Sequence, residues 1–184
     1  AGTVASVAVA VVCIPRGWIW QGGIALAVVM FGDSVDGTLA RMTTGGTRFG
    51  AFLDSTLDRL ADGAVFGSLT AFAIFRMADS PVRTWVIIAG ICSIIGAAAV
   101  PYARARAESV GVVAKLGIAE RTDRLIVGMG SAIIMSLGAP EWVLAVGLTW
   151  VAFASFVTVC QRIWFTARHI GGVRIAPSTL QGRG

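Results

Sequence analysis

Charge is scarce in this 184-residue chain: 14% of residues are charged, against 56% apolar, and the mean hydropathy is +0.80. Soluble domains carry roughly 25% charged residues, so a water-soluble fold would lack the polar surface to cover so much apolar volume. Intrinsic disorder is excluded from the other side, since a disordered chain is poor in residues that bury. Histidine is nearly absent (His169 alone), which removes a His-rich metal site, and there is a single lysine, Lys115. The three cysteines, Cys13, Cys92 and Cys160, stand in or beside apolar runs at unrelated spacings. They form no CxxC ligand set and read as small buried hydrophobes. No linker or internal repeat divides the chain, and no basic stretch precedes the first apolar run. What remains is an integral membrane protein with one domain spanning residues 1–184.

Six apolar segments are present: Ala1–Ile14, Ile19–Ala40, Thr47–Phe75, Thr84–Ala107, Leu125–Ala139 and Trp142–Phe165. Gly- and Pro-containing turns separate most of them. The expected fold is therefore all-α, a polytopic membrane bundle of six transmembrane helices. The first is short of the roughly 20 residues a crossing needs, as though its beginning were missing. The net charge of +5 comes from 15 basic residues scattered along the chain, which favours lipid head groups or a phosphate-bearing substrate over nucleic acid. One end of the bundle carries Arg16, Arg76 and Arg83. The other carries eleven: Arg41, Arg48, Arg104, Arg106, Lys115, Arg121, Arg124, Arg162, Arg168, Arg174 and Arg183. The positive-inside rule makes the rich end cytoplasmic, in a multi-pass protein of the cell membrane. Trp18, Trp20, Trp85 and Trp142 gather at the poor end, as an interfacial belt would.

Against this background the aspartates stand out, because a carboxylate inside an apolar helix costs about 2.5–3.5 kcal/mol on insertion scales. Asp33 and Asp36 share a face of the second segment, and Asp54 and Asp58 share a face of the third. Facing residues of an antiparallel hairpin keep a constant position sum. That sum is 91 for Asp33 with Asp58 and 90 for Asp36 with Asp54, and its midpoint falls on the Gly45-Gly46 turn. The four carboxylates should meet at one depth, about 10–15 Å from the helix ends. Such a group cannot stay ionised without a cation, and oxygen ligands select Mg²⁺ or Mn²⁺. Two ions fit the ligand count. Asp62 stands one turn further on, with pairing to a nearby arginine as open a role as any in the site. Gly37, Ala40 and Gly50 leave room either for close helix contact or for a flat ligand beside the metal. Gly63 and Gly67 are expected to serve helix packing.

Read whole, the pattern Asp33-x2-Asp36-Gly37-x2-Ala40-Arg41-x8-Gly50-x3-Asp54-x3-Asp58 resembles the signature of the CDP-alcohol phosphotransferases, membrane enzymes of phospholipid synthesis. The resemblance implies transfer of the phosphatidyl group of CDP-diacylglycerol to an alcohol, with release of CMP. It implies metal ligation by Asp33, Asp36, Asp54 and Asp58, with Asp58 also the general base. Binding of the CDP-lipid would fall to Asp33, Gly37, Ala40, Arg41, Gly50 and Asp54, and the family commonly forms homodimers. Arg104, Arg121, Arg124 and Arg162 would suit an acceptor that bears phosphate, since guanidinium pairs with phosphate through two donors. The stretches GGTRFGAFLDSTLDRLADG and GIAERTDRL look most like the actinobacterial members of the family, whose acceptor is inositol phosphate. Glycerol 3-phosphate is the competing acceptor. An ion channel or transporter is the rival class. It is disfavoured because no inverted repeat is present and because the paired carboxylates open onto a basic face.

Overall fold

A computed structural model describes residues 2–29, 32, 47–114, 116–118 and 120–170. The described residues form helices and connecting turns, with no strand among them. The helices are α1 (Gly2–Cys13), α2 (Ile19–Val29), α3 (Arg48–Arg76), α4 (Pro81–Ser109), α5 (Arg121–Ser136) and α6 (Trp142–Ile170).

Local chemistry sets several of these boundaries. Thr47 caps α3 by accepting from Gly50 N at 3.0 Å, and Ser80 caps α4 by accepting from Arg83 N at 3.1 Å, with Pro81 filling the first helical position. Arg83 then closes the end of α3. Its guanidinium donates to Ala73 O at 3.2 Å and Ile74 O at 2.9 Å, two carbonyls the helix itself leaves open. The Glu120 N–H at the start of α5 donates to Asp123 Oδ2 at 3.1 Å.

The bundle is built around α4. It packs on α6 along its length and on α3 along its other side, while α5 lies against α6 and α1 against α3. Phe66, Leu69, Val86, Leu144, Leu148 and Val151 fill the centre. Small residues let the helices close up. A Cβ at Gly96 would meet Ser155 Cβ at 2.6 Å, and one at Gly147 would overlap Ser131. Ser93 Oγ donates across the α4–α6 seam to Leu148 O at 2.9 Å, and Trp85 Nε1 to Thr149 Oγ1 at 2.9 Å. Gly63 and Gly67, expected to be packing glycines, have no atom within 4 Å of where a Cβ would stand. Close approaches are made instead by glycines of other elements, among them Gly23, Gly90, Gly96, Gly128 and Gly147.

The expectation of six transmembrane helices is met in coarser form. An all-α bundle is present, and among the described residues two helices, α4 and α6, are long and apolar enough to cross a membrane by themselves. The physical reason differs for the others. α3 has the same 29 residues, but its first half carries Arg48, Asp54, Asp58, Arg59 and Asp62. α1 and α5 have 12 and 16 residues. Large apolar side chains face outward, among them Phe75, Ile88, Ile126 and Phe153. Trp18, Trp20, Trp85 and Trp142 are all exposed, as an interfacial belt requires.

Candidate functional site

Asp54, Asp58 and Asp62 follow one another at intervals of four on α3, so they form a stripe about 12 Å long on one face. Burial rises along it. Asp54 is exposed, Asp58 is half-buried and Asp62 is 2% exposed. The exposed end is free to meet a ligand, and the buried end must be neutralised by the protein itself.

That neutralisation comes from the start of α5. Arg121 Nε bonds Asp62 Oδ1 at 2.9 Å while its Nη1 reaches Asp58 Oδ1 at 3.0 Å. Arg124 Nη2 stands 3.7 Å from Asp62 Oδ2, with both side chains almost fully buried. Arg59 Nη2 approaches the other oxygen of Asp58 at 3.9 Å. One turn further on, Phe66 of α3 packs on Gly128 of α5, where a Cβ would come within 2.8 Å of the ring. The contacts climb together, Asp58 with Arg121, Asp62 with Arg121 and Arg124, and Phe66 with Gly128. α3 and α5 therefore run parallel, joined by one polar ladder and one aromatic contact.

The other two candidate arginines are used differently. Arg104 is paired along its own helix with Glu108, Nε to Oε1, at 2.9 Å. Arg162 is 9% exposed, donating from Nε to Leu116 O at 3.0 Å and from Nη1 to Val100 O at 2.6 Å. It staples the segment before α5 to α4. Arg104 and Arg124 nonetheless lie near enough to repel its charge, with Glu108 and Glu120 acting against that repulsion. A cavity of about 640 Å³ opens beside Arg162 between the last turns of α4 and α6, walled by Tyr102, Arg106, Val159 and Thr166 among others.

Of the expected site residues, Gly50, Asp54, Asp58, Arg104, Arg121, Arg124 and Arg162 are described. Asp33, Asp36, Gly37, Ala40 and Arg41 lie outside the described residues, as does Lys115. Among the described residues no group of three or more His, Cys, Asp or Glu side chains is disposed to hold a metal. The donors of α3 still fit one. Two carboxylates a turn apart, one exposed and one half-buried, present hard oxygen ligands toward solvent. Asp62 is the residue whose place the sequence left undecided. Its signal was the continuation of the four-residue interval from Asp54 through Asp58.

Residues 1–158 match the CDP-alcohol phosphatidyltransferase family. The chain is 37% identical over 182 residues to the phosphatidylinositol phosphate synthase of Mycobacteroides abscessus, covering 99% of this chain and 81% of that protein. It is 40% identical over 184 residues to the phosphatidylinositol phosphate synthase of Mycolicibacterium smegmatis, covering 98% and 78%. Among solved structures it resembles the Mycobacterium tuberculosis phosphatidylinositol phosphate synthase in two states. With manganese and citrate bound, the TM-score is 0.86 at 35% identity, covering 95% of this chain and 83% of that one. With CDP-diacylglycerol bound, the TM-score is again 0.86 at 35% identity, with 95% and 87% covered.

Proposed function

Because the chain belongs to the CDP-alcohol phosphatidyltransferase family, we propose that inositol phosphate is the acceptor in the reaction it catalyses and that Asp58 takes the acceptor's proton. The chain is a metal-dependent enzyme that transfers the phosphatidyl group of CDP-diacylglycerol to a phosphorylated alcohol. The observation that carries the acceptor assignment is the position of Arg121, whose guanidinium, a group suited to phosphate, places Nη1 3.0 Å from the carboxylate of Asp58. A phosphate held by Arg121 brings the hydroxyl of the same small molecule to the base.

The reaction then follows from the residues. The acceptor hydroxyl attacks the phosphorus that bears the diacylglycerol, and its proton passes to Asp58. The bond from that phosphorus to the bridging oxygen breaks, and CMP leaves with the electron pair. Asp33, Asp36, Asp54 and Asp58 are the residues we assign to Mg²⁺ or Mn²⁺, with two ions suited to four carboxylates. When bound, such ions neutralise diphosphate charge. Gly37, Ala40, Arg41 and Gly50 are assigned, with Asp33 and Asp54, to the CDP-lipid. Arg104, Arg124 and Arg162 give the acceptor pocket its positive potential, with Arg121 making the phosphate contact.

The placement in the cell belongs to the same reading. The single domain crosses the cell membrane several times, its charged end faces the cytoplasm, and two copies associate. The outward apolar side chains and the excess of arginine at the aspartate end support this. The test is a transfer assay of purified protein with CDP-diacylglycerol and three acceptors: inositol phosphate, inositol and glycerol 3-phosphate. Release of CMP with inositol phosphate alone is the expected result. Preference for glycerol 3-phosphate would move the assignment to phosphatidylglycerophosphate synthesis, and turnover with free inositol would remove the role of Arg121.

A further inference from the structure

Asp62 is the most buried carboxylate of the described site, and neither proton transfer nor metal binding uses it. We propose that Asp62 is a positioning residue for the acceptor: it holds Arg121 by one edge, so that this arginine presents a free donor corner to the acceptor phosphate instead of closing on Asp58. The inference rests on the reading above, in which Arg121 holds the phosphate and Asp58 takes the proton.

A guanidinium is planar and offers carboxylates two-pronged contacts, so an arginine facing one exposed carboxylate tends to grip it with two nitrogens. Arg121 instead divides its donors between two carboxylates. Nε goes to Asp62 at 2.9 Å and Nη1 to Asp58 at 3.0 Å. Fixing those two nitrogens fixes the plane of the group, and Nη2 has no bonding partner among the described residues. The Arg121 side chain is 29% exposed, so the group is open enough to be reached by a ligand. Asp62 is itself held in place. Its second oxygen faces Arg124, which is 3% exposed by side chain and lies behind the pair. A carboxylate buried between two guanidiniums cannot turn away without leaving a buried charge unpaired. α3 and α5 otherwise touch sparsely, so this ladder is the main constraint on where Arg121 stands relative to Asp58.

The competing explanation is that Asp62 merely ties α5 to α3. Kinetics on the full chain separate the two. Asp62→Asn, assayed with CDP-diacylglycerol and inositol phosphate, is expected to raise the KM for inositol phosphate about tenfold or more, the scale of a lost charge-assisted bond. The KM for CDP-diacylglycerol should stay within about twofold of its original value. Asp62→Glu, which keeps the charge, should recover part of the acceptor KM. Because Asp62→Asn removes the negative charge that faces Arg124, Asp62→Asn combined with Arg124→Gln is measured beside Arg124→Gln alone. The double variant should melt closer to wild type than Asp62→Asn does, yet keep an acceptor KM above that of Arg124→Gln. An acceptor KM in the double equal to that of Arg124→Gln would overturn the positioning role, as would a loss in Asp62→Asn that falls on kcat alone. If wild-type protein fails to use inositol phosphate at all, the proposed function itself falls, and the two failures are told apart.

Discussion

α3 and α4 are packed side by side and have the same length, 29 residues, yet they place charge in opposite ways. α4 keeps its charged residues at its ends, Arg83 at one and Arg104, Arg106 and Glu108 at the other, and its middle is apolar. α3 carries Asp54, Asp58, Arg59 and Asp62 well inside the helix and becomes apolar only beyond them. The interior charges of α3 would be costly in hydrocarbon. Arg121 and Arg124 meet the buried end, and the exposed end is the part we propose for substrate and metal. α4 has no such role, and its energetics are those of packing. Substitutions should therefore act on turnover in the first half of α3 and on stability in the middle of α4.

The largest effect is expected at Asp58. Asp58→Asn keeps the shape of the side chain and removes its ability to take a proton. The transfer rate should fall by about 10²–10⁴, the usual contribution of a general base. Binding of CDP-diacylglycerol, followed by calorimetry or by radiolabelled lipid retention, should survive within a few-fold. Turnover near the wild-type rate would sink the base assignment and with it the contrast between the two helices.

Next in size is Arg121→Ala. Loss of a charge-assisted contact of about 1.5–3 kcal/mol corresponds to a rise of roughly 10–150-fold in the KM for the phosphorylated acceptor. The KM for CDP-diacylglycerol should move far less, and steady-state kinetics with each substrate varied in turn will read both. An effect confined to the CDP-lipid would place Arg121 on the wrong substrate.

Much of this division was legible in the chain alone. The spacing of Asp54 and Asp58, the apolar character of the segments and the arginine excess at one end are local patterns, and local patterns survive folding. What could not be read was which partner each charge would take. Asp62 and Arg121 are 59 positions apart, and only the parallel packing of α3 and α5 brings them to 2.9 Å. Arg162 was expected at the acceptor and donates to two backbone carbonyls, Val100 O and Leu116 O. Leu116 lies in the connection before α5, outside any helical ladder, so its carbonyl needs a donor that Arg162 supplies. Gly63 and Gly67 were expected to pack, but the tight glycines among the described residues lie on α2, α4, α5, α6 and the connection before α5, because a glycine's neighbour depends on helix rotation that spacing within one helix does not determine.

The α4 side of the comparison is tested first at Gly96. Its missing Cβ would stand 2.6 Å from Ser155 Cβ, so Gly96→Val must push α6 away. Overpacking of this kind costs about 1–3 kcal/mol. A lowered melting temperature in detergent is expected, with the acceptor KM of the folded fraction unchanged. A selective change in acceptor KM would show that the seam between α4 and α6 reports to the site.

The smallest effect is expected at Ser93. Its hydroxyl is fully buried and donates to Leu148 O across the seam, with Ala89 O of its own helix at 2.8 Å as the alternative acceptor. A membrane-embedded hydrogen bond averages only about 0.6 kcal/mol in double-mutant cycles. Ser93→Ala loses that bond but leaves no unsatisfied donor behind, since Leu148 O retains its place in the α6 ladder and Ala fills nearly the same volume. The melting temperature should fall by no more than a few degrees, with kcat and both KM values unaltered. The contrast with α3 is then quantitative. One buried polar atom of α4 can be deleted at a small fraction of a folding free energy, whereas deleting the charge of Asp62 removes a carboxylate shared by Arg121 and Arg124 and is expected to change how the acceptor is held. If Ser93→Ala proved as damaging as Asp62→Asn, the depth of burial alone, and not the pairing of charge, would govern both helices.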